Sequence, residues 1–294
     1  MDLDDLITEE RSDDTRDLEL RATGDLVELM NRLDATVSAA VAGAAGAVAG
    51  VIDHVVERLR AGGRLIYVGA GSSGRQAVAD AAECEATFST EPGQVVAVFA
   101  GEQEGAEDDA EAGARSLRGL AVGPPDAVIG ISASGRTPYV LAAIEAAAEA
   151  GAFTACIVST PDSPLARLAE REIAVVVGPE VIAGSTRLRA GTAQKLVLNQ
   201  ISTISMVRLG KVFDNLMVDV ATENEKLRAR ARRIVQTVTG VSAGEADEAL
   251  ASADGSAKVA IVSLLARLDA DEARSRLAAS GGDIRTAVEG VATR

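Results

Sequence analysis

The feature that most constrains the fold is a set of short apolar runs that alternate with helical segments in the middle of the chain. A strand that is covered by helices on both faces has no solvent-facing side, so its sequence is a continuous apolar run. Strands of this kind, separated by helices, are typical of a parallel sheet in an α/β fold. The predicted strands are residues 64–68, 94–100, 126–131, 153–158 and 173–177.

Two loops rich in glycine and serine follow the first and third predicted strands. Residues 69–75 (GAGSSGR) and 130–136 (GISASGR) carry Gly, Ser, Gly and Arg at the same offsets, and each is expected to open a helix. Small residues let a ligand approach the backbone, and a helix N-terminus favours an anion. We therefore expect a phosphate monoester at the carboxyl ends of these strands, where ligands bind in such sheets. The alternative is a pair of tight strand–helix turns without a ligand.

The first loop also matches the GxGxxG pattern of dinucleotide-binding folds, but a lone match is weak. Such folds carry an acidic residue about 20 residues further on, at the end of the next strand. Here the candidate, Glu102, stands 28 residues after Gly74. Arg75 occupies the position where a P-loop would have lysine. A nucleotide is therefore the less favoured occupant.

The charge and composition of the chain exclude several classes of partner. The net charge is −15, from 44 acidic and 29 basic side chains, so nucleic acids and anionic membranes are expected to be repelled. Aromatic residues make up 2% of the chain, which leaves few platforms on which bases could stack. One histidine and two separate cysteines provide no ligand set for a structural metal. We expect a protein that uses no cofactor or metal.

The N-terminal sequence shows no sign of export or of a membrane anchor. Residues 1–5 are mostly acidic, unlike the basic start of a signal peptide. The most apolar long stretch, residues 37–52, is shorter than the roughly 20 residues that a membrane span needs. Two cysteines outside any CxxC motif favour a reducing compartment. The sequence therefore predicts a soluble, cytoplasmic protein.

Helical segments flank the predicted sheet on both sides. Residues 1–20 are expected to form a charged arm, followed by a helix that extends to residue 59. The helices predicted after the last strand cover residues 191–209, 224–238, 244–252, 255–268 and 270–279, with a final turn beyond residue 284. The predicted domains are an N-terminal arm and helix (1–52), a sheet domain (53–220) and a C-terminal helical region (221–294).

Acid–base chemistry in this chain is expected to depend on carboxylates, because the one histidine, His54, stands on an apolar helix and is expected to pack there. Glu83 lies near the end of the helix that follows the first loop. A run of acidic residues between 102 and 111 follows the second predicted strand. Most of this run is expected to be solvated, with one or two members facing a cleft at the carboxyl end of that strand.

The loop residues belong to longer motifs that extend over nearly the whole chain. The motifs are VGAGSSGR (68–75), AEC (82–84), EGAEDD (104–109), SGRTPYV (134–140), GSTR (184–187), GTAQKLVLN (191–199) and NLMVDV (215–220). Residues 7–10 (ITEE) and the C-terminal helical region extend the similarity. Together they resemble the N-acetylmuramic acid 6-phosphate etherases, a family with the sugar isomerase (SIS) fold that is related to glucokinase regulatory proteins.

The resemblance implies a cofactor-free lyase of cell-wall sugar recycling. Such an enzyme cleaves the lactyl ether of N-acetylmuramic acid 6-phosphate and gives N-acetylglucosamine 6-phosphate and D-lactate. The two catalytic glutamates of the family match Glu83, taken as the acid that protonates the departing lactate, and Glu107. The substrate-binding residues that we expect are Ser72, Ser73, Ser132, Ser134, Arg136, Thr137, Ser185, Thr186 and Glu104.

The two glutamates must differ in protonation state, because one accepts the C2 proton of the open-chain sugar and the other protonates the C3 ether oxygen. Glu83 is the better candidate for the acid, since most of its sequence neighbours are apolar and burial raises the pKa of a carboxyl group. A helix from Gly74 to Glu83 rises about 13 Å, which is comparable with the length of a hexose phosphate or longer. Glu83 is therefore not expected to reach a sugar whose phosphate lies at the start of its own helix. We expect it to reach a site that is shared across the interface of a homodimer.

Two other functions on the same fold stay open at this point. A sugar-phosphate isomerase needs only proton transfer between C1 and C2. A non-enzymatic regulator that senses a sugar phosphate needs the phosphate loops but not both glutamates. Release of D-lactate separates all three functions.

Overall fold

A five-stranded parallel sheet forms in the middle of the chain, as the apolar runs predict. The computed structural model describes residues 6–101, 103, 105–219 and 225–290. Its strands are β1 (Leu65–Gly69), β2 (Val95–Phe99), β3 (Ala127–Ile131), β4 (Phe153–Val158) and β5 (Arg171–Ala174), in the spatial order β2-β1-β3-β4-β5. Every residue of β1, β3 and β4 is buried. The predicted α/β class with a parallel sheet is confirmed.

The fifth strand begins two residues and ends three residues earlier than predicted. β5 covers Arg171–Ala174 and pairs in parallel with β4, whereas the prediction was 173–177. The predicted run overlaps β5 at Ile173 and Ala174, and the Val175 N–H still donates to the Val158 carbonyl oxygen at 2.8 Å. Val177, 4% exposed, lies beyond the paired segment, and Val176 is 43% exposed. The apolar run therefore extends past the end of the strand.

The sheet belongs to a first compact unit, which consists of Met1–Glu83 and Pro92–Ser202. Its helices are α1 (Thr23–Asp34), α2 (Val37–Gly43), α3 (Ala45–Arg60), α4 (Gly71–Phe88), α5 (Ala110–Gly119), α6 (Pro138–Glu149), α7 (Pro164–Leu168) and α8 (Arg189–Arg208), of which α4 and α8 continue past its bounds. α5 and α6 pack on one face of the sheet, against Ile66, Val68 and Val128. α3 packs on the other face, where His54 stacks on Phe153 with ring centroids 4.5 Å apart.

The N-terminal segment is more broken, and part of it more buried, than predicted. The helix expected to extend to residue 59 is interrupted around residue 35 and again at Ala44, whose ψ of 4° is not helical. Gly43 and Gly46 flank the second break, and glycine is among the weakest helix formers. In the expected arm, Leu6 and Thr8 are 2% and 1% exposed. The start of the described arm is therefore packed within the first unit, whereas Leu20 at its end is 80% exposed.

The second compact unit consists of Cys84–Glu91 and Thr203–Arg294. A short antiparallel hairpin, β6 (Val212–Phe213) and β7 (Leu216–Met217), precedes its helices. These are α9 (Glu225–Thr239), α10 (Ala243–Ser252), α11 (Ala257–Ala266), α12 (Ala270–Ala279) and α13 (Ile284–Glu289). Val235, Ala260, Ile261 and Ala273 lie at the centre of one buried cluster. The helical C-terminal region predicted from the sequence is confirmed.

Across the described ranges, no single helix is both long and apolar enough to cross a membrane. Two bent helix pairs meet the length and composition criteria only when joined: Thr23–Gly43 with Ala45–Arg60, bent by 58°, and Ala243–Ser252 with Ala257–Ala266, bent by 111°.

A buried ion pair ties β1 to the start of β3. The Asp126 carboxylate, 4% exposed, accepts hydrogen bonds from the Arg64 Nη2 at 2.7 Å, the Arg64 backbone N–H at 2.9 Å and the Gly123 N–H at 3.1 Å. Burial by itself raises the pKa of Asp126, but these hydrogen bonds and the charge of Arg64 outweigh it and lower the pKa below its ordinary value of 3.8. The folded state therefore favours the ionised carboxylate.

We expect Asp126→Asn to lower the free energy of unfolding by about 3 kcal/mol at pH 7, because it leaves Arg64 without its buried partner. A carboxyl group with a lowered pKa stabilises the folded state above its unfolded pKa, and this contribution is lost as the pH falls through the folded pKa. The difference between the variant and the unmodified protein should therefore shrink below pH 3.8. Urea unfolding at pH 7 and pH 3 measures both quantities.

The matched control is Asp13→Asn, which removes an exposed ion pair to Arg16. Exposed pairs contribute less than about 1 kcal/mol, so this variant should unfold almost like the unmodified protein at both pH values. Equal stabilities for the Asp126 and Asp13 variants at pH 7 would show that the buried ion pair of Arg64 and Asp126 contributes no more than an exposed one.

Candidate functional site

A cavity of about 460 Å³ opens at the carboxyl ends of β1 and β3. The chain passes from β1 outward to β2 and then returns to place β3 on the other side of β1. Such a reversal of strand order leaves a crevice between the two diverging connections, which is where open α/β sheets bind ligands. The sequence-predicted residues that line the cavity are Ser72, Ser73, Glu107, Ser132, Ser134, Arg136, Thr137, Ser185 and Thr186.

The first loop presents a helix N-terminus to this cavity. β1 ends at Gly69 and α4 begins at Gly71, so Ser72 and Ser73 lie in the first helical turn. The N–H groups at the start of a helix have no intrahelical acceptors, and the helix dipole adds a partial positive charge. The Ser73 hydroxyl donates to Gln194 Oε1 at 2.9 Å, which fixes the loop against α8. This arrangement suits an anion.

The second loop has a different conformation, although its sequence repeats that of the first. α6 begins only at Pro138, so Ser132 and Ser134 lie in a non-helical turn. The Gly135 N–H donates to Ser132 Oγ at 3.1 Å. Gly135 has φ +63°, and a Cβ there would collide with the Ser163 side chain, so this position requires glycine. Each loop leads into a helix, as expected, but α6 begins after its loop at Pro138, whereas α4 begins within its loop at Gly71.

A third wall of the cavity comes from the segment before α8, which holds Ser185 and Thr186. The buried carboxylate of Glu180 accepts hydrogen bonds from the N–H groups of Arg189 and Ala190, at 3.0 and 2.9 Å. A negative charge at a helix N-terminus is stabilising, so Glu180 anchors the end of this segment to α8.

The acidic segment contributes Glu107 to the cavity. Glu107 lies on a 3-10 turn, Ala106–Asp108, ahead of α5, and its side chain is exposed to solvent. Asp109 caps α5 by accepting a hydrogen bond from the Ala112 N–H at 2.9 Å. The other candidate of this segment, Glu104, lies outside the described residues.

Glu83 does not line the cavity of its own chain. Its side chain is 64% exposed and forms an ion pair with Lys195, whose Nζ lies 3.0 Å from Glu83 Oε2. The expectation of apolar surroundings for Glu83 is therefore wrong for the single chain, because the helix buries Cys84 and leaves Glu83 outside. Ten residues of helix between Ser73 and Glu83 correspond to about 15 Å.

Lys195 joins Glu83 to a second, buried carboxylate. Lys195 Nζ also lies 3.0 Å from Asp80 Oδ1, and the Asp80 side chain is 2% exposed. Burial lowers the pKa of Lys195, but the hydrogen bonds to Asp80 and Glu83 and the charges of both carboxylates outweigh it and raise the pKa above 10.5. Lys195 is therefore a cation at neutral pH that fixes Glu83 in position.

Two further polar residues of the cavity, Thr8 and Glu9, were not among the sequence-predicted site residues. The signal that could have found them is the motif ITEE at residues 7–10, which formed part of the family resemblance. Asp108 and Arg187 also line the cavity. Within the described residues, no group of three or more histidine, cysteine, aspartate or glutamate side chains is arranged to hold a metal ion.

Comparisons with known proteins agree with the fold. The family described as "SIS domain" matches residues 110–203, and the "Glucokinase regulatory protein N-terminal SIS domain" matches residues 47–148. A solved phosphoheptose isomerase from Francisella tularensis superposes with a TM-score of 0.52 at 17% identity, over 64% of this chain and 100% of the other. At this level of identity the likeness shows the SIS fold alone.

Sequence relatives are similar over almost the full length. The N-acetylmuramic acid 6-phosphate etherase of Rubrobacter xylanophilus is 57% identical over 97% of this chain and 97% of its own. The enzyme of the same name from Streptomyces coelicolor is 50% identical over 97% of this chain and 94% of its own. Identity at this level over both whole chains means that the protein belongs to the N-acetylmuramic acid 6-phosphate etherase family.

Proposed function

We propose that this protein cleaves the lactyl ether of N-acetylmuramic acid 6-phosphate and releases N-acetylglucosamine 6-phosphate and D-lactate. The observation that carries the proposal is the 57% identity to an etherase of that name over 97% of both chains. The cavity supports it, because serine hydroxyls and free helix N–H groups suit a phosphate monoester. We place the reaction in the cytoplasm, in the recycling of cell-wall amino sugars.

In this proposal, the phosphate binds between the two loops. The first turn of α4 offers backbone N–H groups beside the hydroxyls of Ser72 and Ser73. Ser132 and Ser134 face the same cavity from the loop after β3, together with Arg136. Hydrogen bonds from several neutral donors to one dianion are individually strong, because each is assisted by the ligand's charge. The sugar then extends towards Glu107, Ser185 and Thr186.

The chemistry is an elimination followed by addition of water. A carboxylate takes the C2 proton of the open-chain sugar, which the C1 aldehyde acidifies, and the electron pair forms a double bond between C2 and C3. The C3–oxygen bond breaks, and an acid protonates the oxygen that leaves with lactate. Water then adds across the double bond, with its oxygen on C3 and a proton on C2. Glu107, exposed within the cavity, is our candidate for the base.

The second glutamate, Glu83, is proposed to come from another copy of the chain. Glu83 lies about 15 Å along α4 from Ser73 and does not line the cavity of its own chain, which Glu107 does line. A two-fold homodimer places the same surfaces of two copies against each other and creates two equivalent sites. Each site would then combine Glu107 of one subunit with Glu83 of the other, where Lys195 and Asp80 fix the position of Glu83.

A regulator that binds a sugar phosphate without converting it is the second candidate. It is favoured by the match of residues 47–148 to the glucokinase regulatory protein domain. Such a protein would bind N-acetylglucosamine 6-phosphate and would release no D-lactate from N-acetylmuramic acid 6-phosphate. A D-lactate assay with the purified full-length chain decides between the two functions.

The phosphate placement predicts that Ser134→Ala weakens binding of N-acetylglucosamine 6-phosphate about tenfold or more, because it removes a hydrogen bond to a charged group. Titration calorimetry measures the affinity. The matched control is Ser38→Ala, which changes an exposed serine of α2 that does not line the cavity. An unchanged affinity in a folded Ser134 variant would remove this loop from the phosphate site.

The roles of the two glutamates are separated by hydrogen exchange. With Glu83→Gln we expect no ether cleavage but continued exchange of the C2 proton with solvent deuterium, because the base remains. Glu107→Gln should lose exchange and cleavage together. General acid–base groups contribute about 10²–10⁴-fold, so each variant should lose activity by a factor in that range in the NMR and D-lactate assays. Exchange that persists only in the Glu107 variant would reverse the two roles.

A shared site predicts that the two inactive variants complement each other. When Glu83→Gln and Glu107→Gln subunits are mixed and allowed to exchange, about half of the dimers contain one of each, and each of these has one intact site. D-lactate release should therefore recover to about one quarter of the unmodified rate. If both glutamates of a site belonged to the same subunit, the mixture would stay inactive.

A further inference from the structure

The N-terminal turn of the described chain forms part of the cavity wall. Thr8 and Glu9 line the cavity, and Leu6, 2% exposed, anchors the turn in the first unit. The Gly184 N–H donates to the Thr8 carbonyl oxygen at 2.8 Å, which joins the turn to the segment that carries Ser185. Packing and a backbone hydrogen bond therefore fix the turn as part of the cavity wall.

The carboxylate of Glu9 lies directly over Gly184. Gly184 has φ +76°, and a Cβ at this position would stand only 2.5 Å from Glu9 Oε2. The space that a side chain would fill is occupied by the carboxylate, so glycine at residue 184 gives Glu9 access to the cavity wall. Within the part of the chain that the structure describes, Glu9 has no ion-pair partner, so its carboxylate oxygens are available to a ligand.

Thr8 supplies an independent sign of a ligand. The residue is 1% exposed and lines the cavity, and its hydroxyl has no hydrogen-bond partner among the described residues. A buried hydroxyl without a partner is costly, and most such groups in proteins are satisfied. A polar ligand in the adjoining cavity is able to provide the missing partner.

The distribution of charge indicates which part of a sugar phosphate meets this wall. The α4 N-terminus and the serines of the two loops suit the phosphate. Glu9, with Glu107 and Asp108, would repel a dianion at close range. A carboxylate is an acceptor of hydrogen bonds, so it suits the uncharged donors of the sugar, which are hydroxyl and amide N–H groups.

We propose that Thr8 and Glu9 contact the sugar part of the ligand, with Glu9 accepting hydrogen bonds from its hydroxyl or amide N–H groups and Thr8 donating to one of its oxygens. This inference rests on the proposed function, because it takes a sugar 6-phosphate as the ligand. In this proposal, Glu9 and Thr8 help to determine which sugar phosphates the site accepts. A site built to hydrogen-bond a polar group discriminates strongly against ligands that lack it.

The test compares three probes by calorimetry: N-acetylglucosamine 6-phosphate, glucose 6-phosphate and inorganic phosphate. Glu9→Gln should weaken binding of N-acetylglucosamine 6-phosphate about tenfold or more, since it removes a charged acceptor of nearly the same shape. Inorganic phosphate should bind as well as before or more tightly, because a negative charge has been removed. Loss confined to the acetamido sugar identifies the amide as the donor, and loss with both sugars identifies a hydroxyl.

Two further variants separate ligand contact from a structural role. Glu10→Gln is the matched control, because Glu10 is the exposed neighbour of Glu9 and does not line the cavity. Thr8→Val keeps the shape of the side chain and removes the hydroxyl. It should leave the melting temperature of the ligand-free protein equal or higher, because a buried unsatisfied group disappears, while the affinity for the sugar phosphate falls.

The inference is overturned if Glu9→Gln and Thr8→Val bind both sugar phosphates like the unmodified protein while Ser134→Ala does not. In that case the phosphate would occupy the cavity without the N-terminal turn. Because none of these readouts is turnover, failure of the proposed ether cleavage is distinguishable: it would appear as absent D-lactate release from the unmodified protein, whatever the affinities of these variants.

Discussion

The site depends on the adjacency of β1 and β3. The two strands pair in parallel along their whole length, from Leu65 with Ala127 to Gly69 with Ile131. Their carboxyl ends are therefore level, and the loops that leave them diverge around a single crevice. The buried pair of Asp126 and Arg64 fixes the entry to the same two strands at the opposite end. A shift of one residue in this register would turn every side chain of the strand to the opposite face and separate the serines of the two loops.

Much of this architecture is predictable from the sequence because complete burial leaves a simple signal. β1, β3 and β4 are continuous apolar runs, and the structure places strands in all three. The apolar signal overshoots where burial continues past the end of a strand, as at Val177, which is buried beyond β5. The glycine and serine pattern of the two loops does not predict their conformations, because the loops share the pattern and fold differently. The serines of the first loop lie in α4, whereas Gly135, at φ +63°, keeps the second loop out of a helix.

The positions of the carboxylates were less predictable, because they depend on contacts between residues far apart in the chain. Sequence neighbours suggested apolar surroundings for Glu83, but its position on α4 brings it to Lys195, 112 residues away. A carboxylate paired with an ammonium group is not the usual environment of a general acid. The proposed role of Glu83 therefore depends on the groups that a second copy of the chain brings to it. The motif ITEE at residues 7–10 marks Glu9 as part of the family pattern, but its contact with Gly184, 175 residues away, is visible only in the fold.

A net charge of −15 is compatible with the proposed dianionic ligand, because repulsion by surface charges and hydrogen bonding in the cavity act over different distances. Exposed charges are screened over roughly 8 Å at physiological ionic strength, whereas hydrogen-bond donors at a helix N-terminus act in direct contact. An extended polyanion would meet many surface carboxylates at once, but a small phosphate ester in the cavity meets mainly the donors around it. The acidic residues that line the cavity would lie within this screening distance of a ligand bound there. Glu9, Glu107 and Asp108 thus favour one orientation, in which the phosphate faces the serine loops and the sugar's hydrogen-bond donors face the carboxylates.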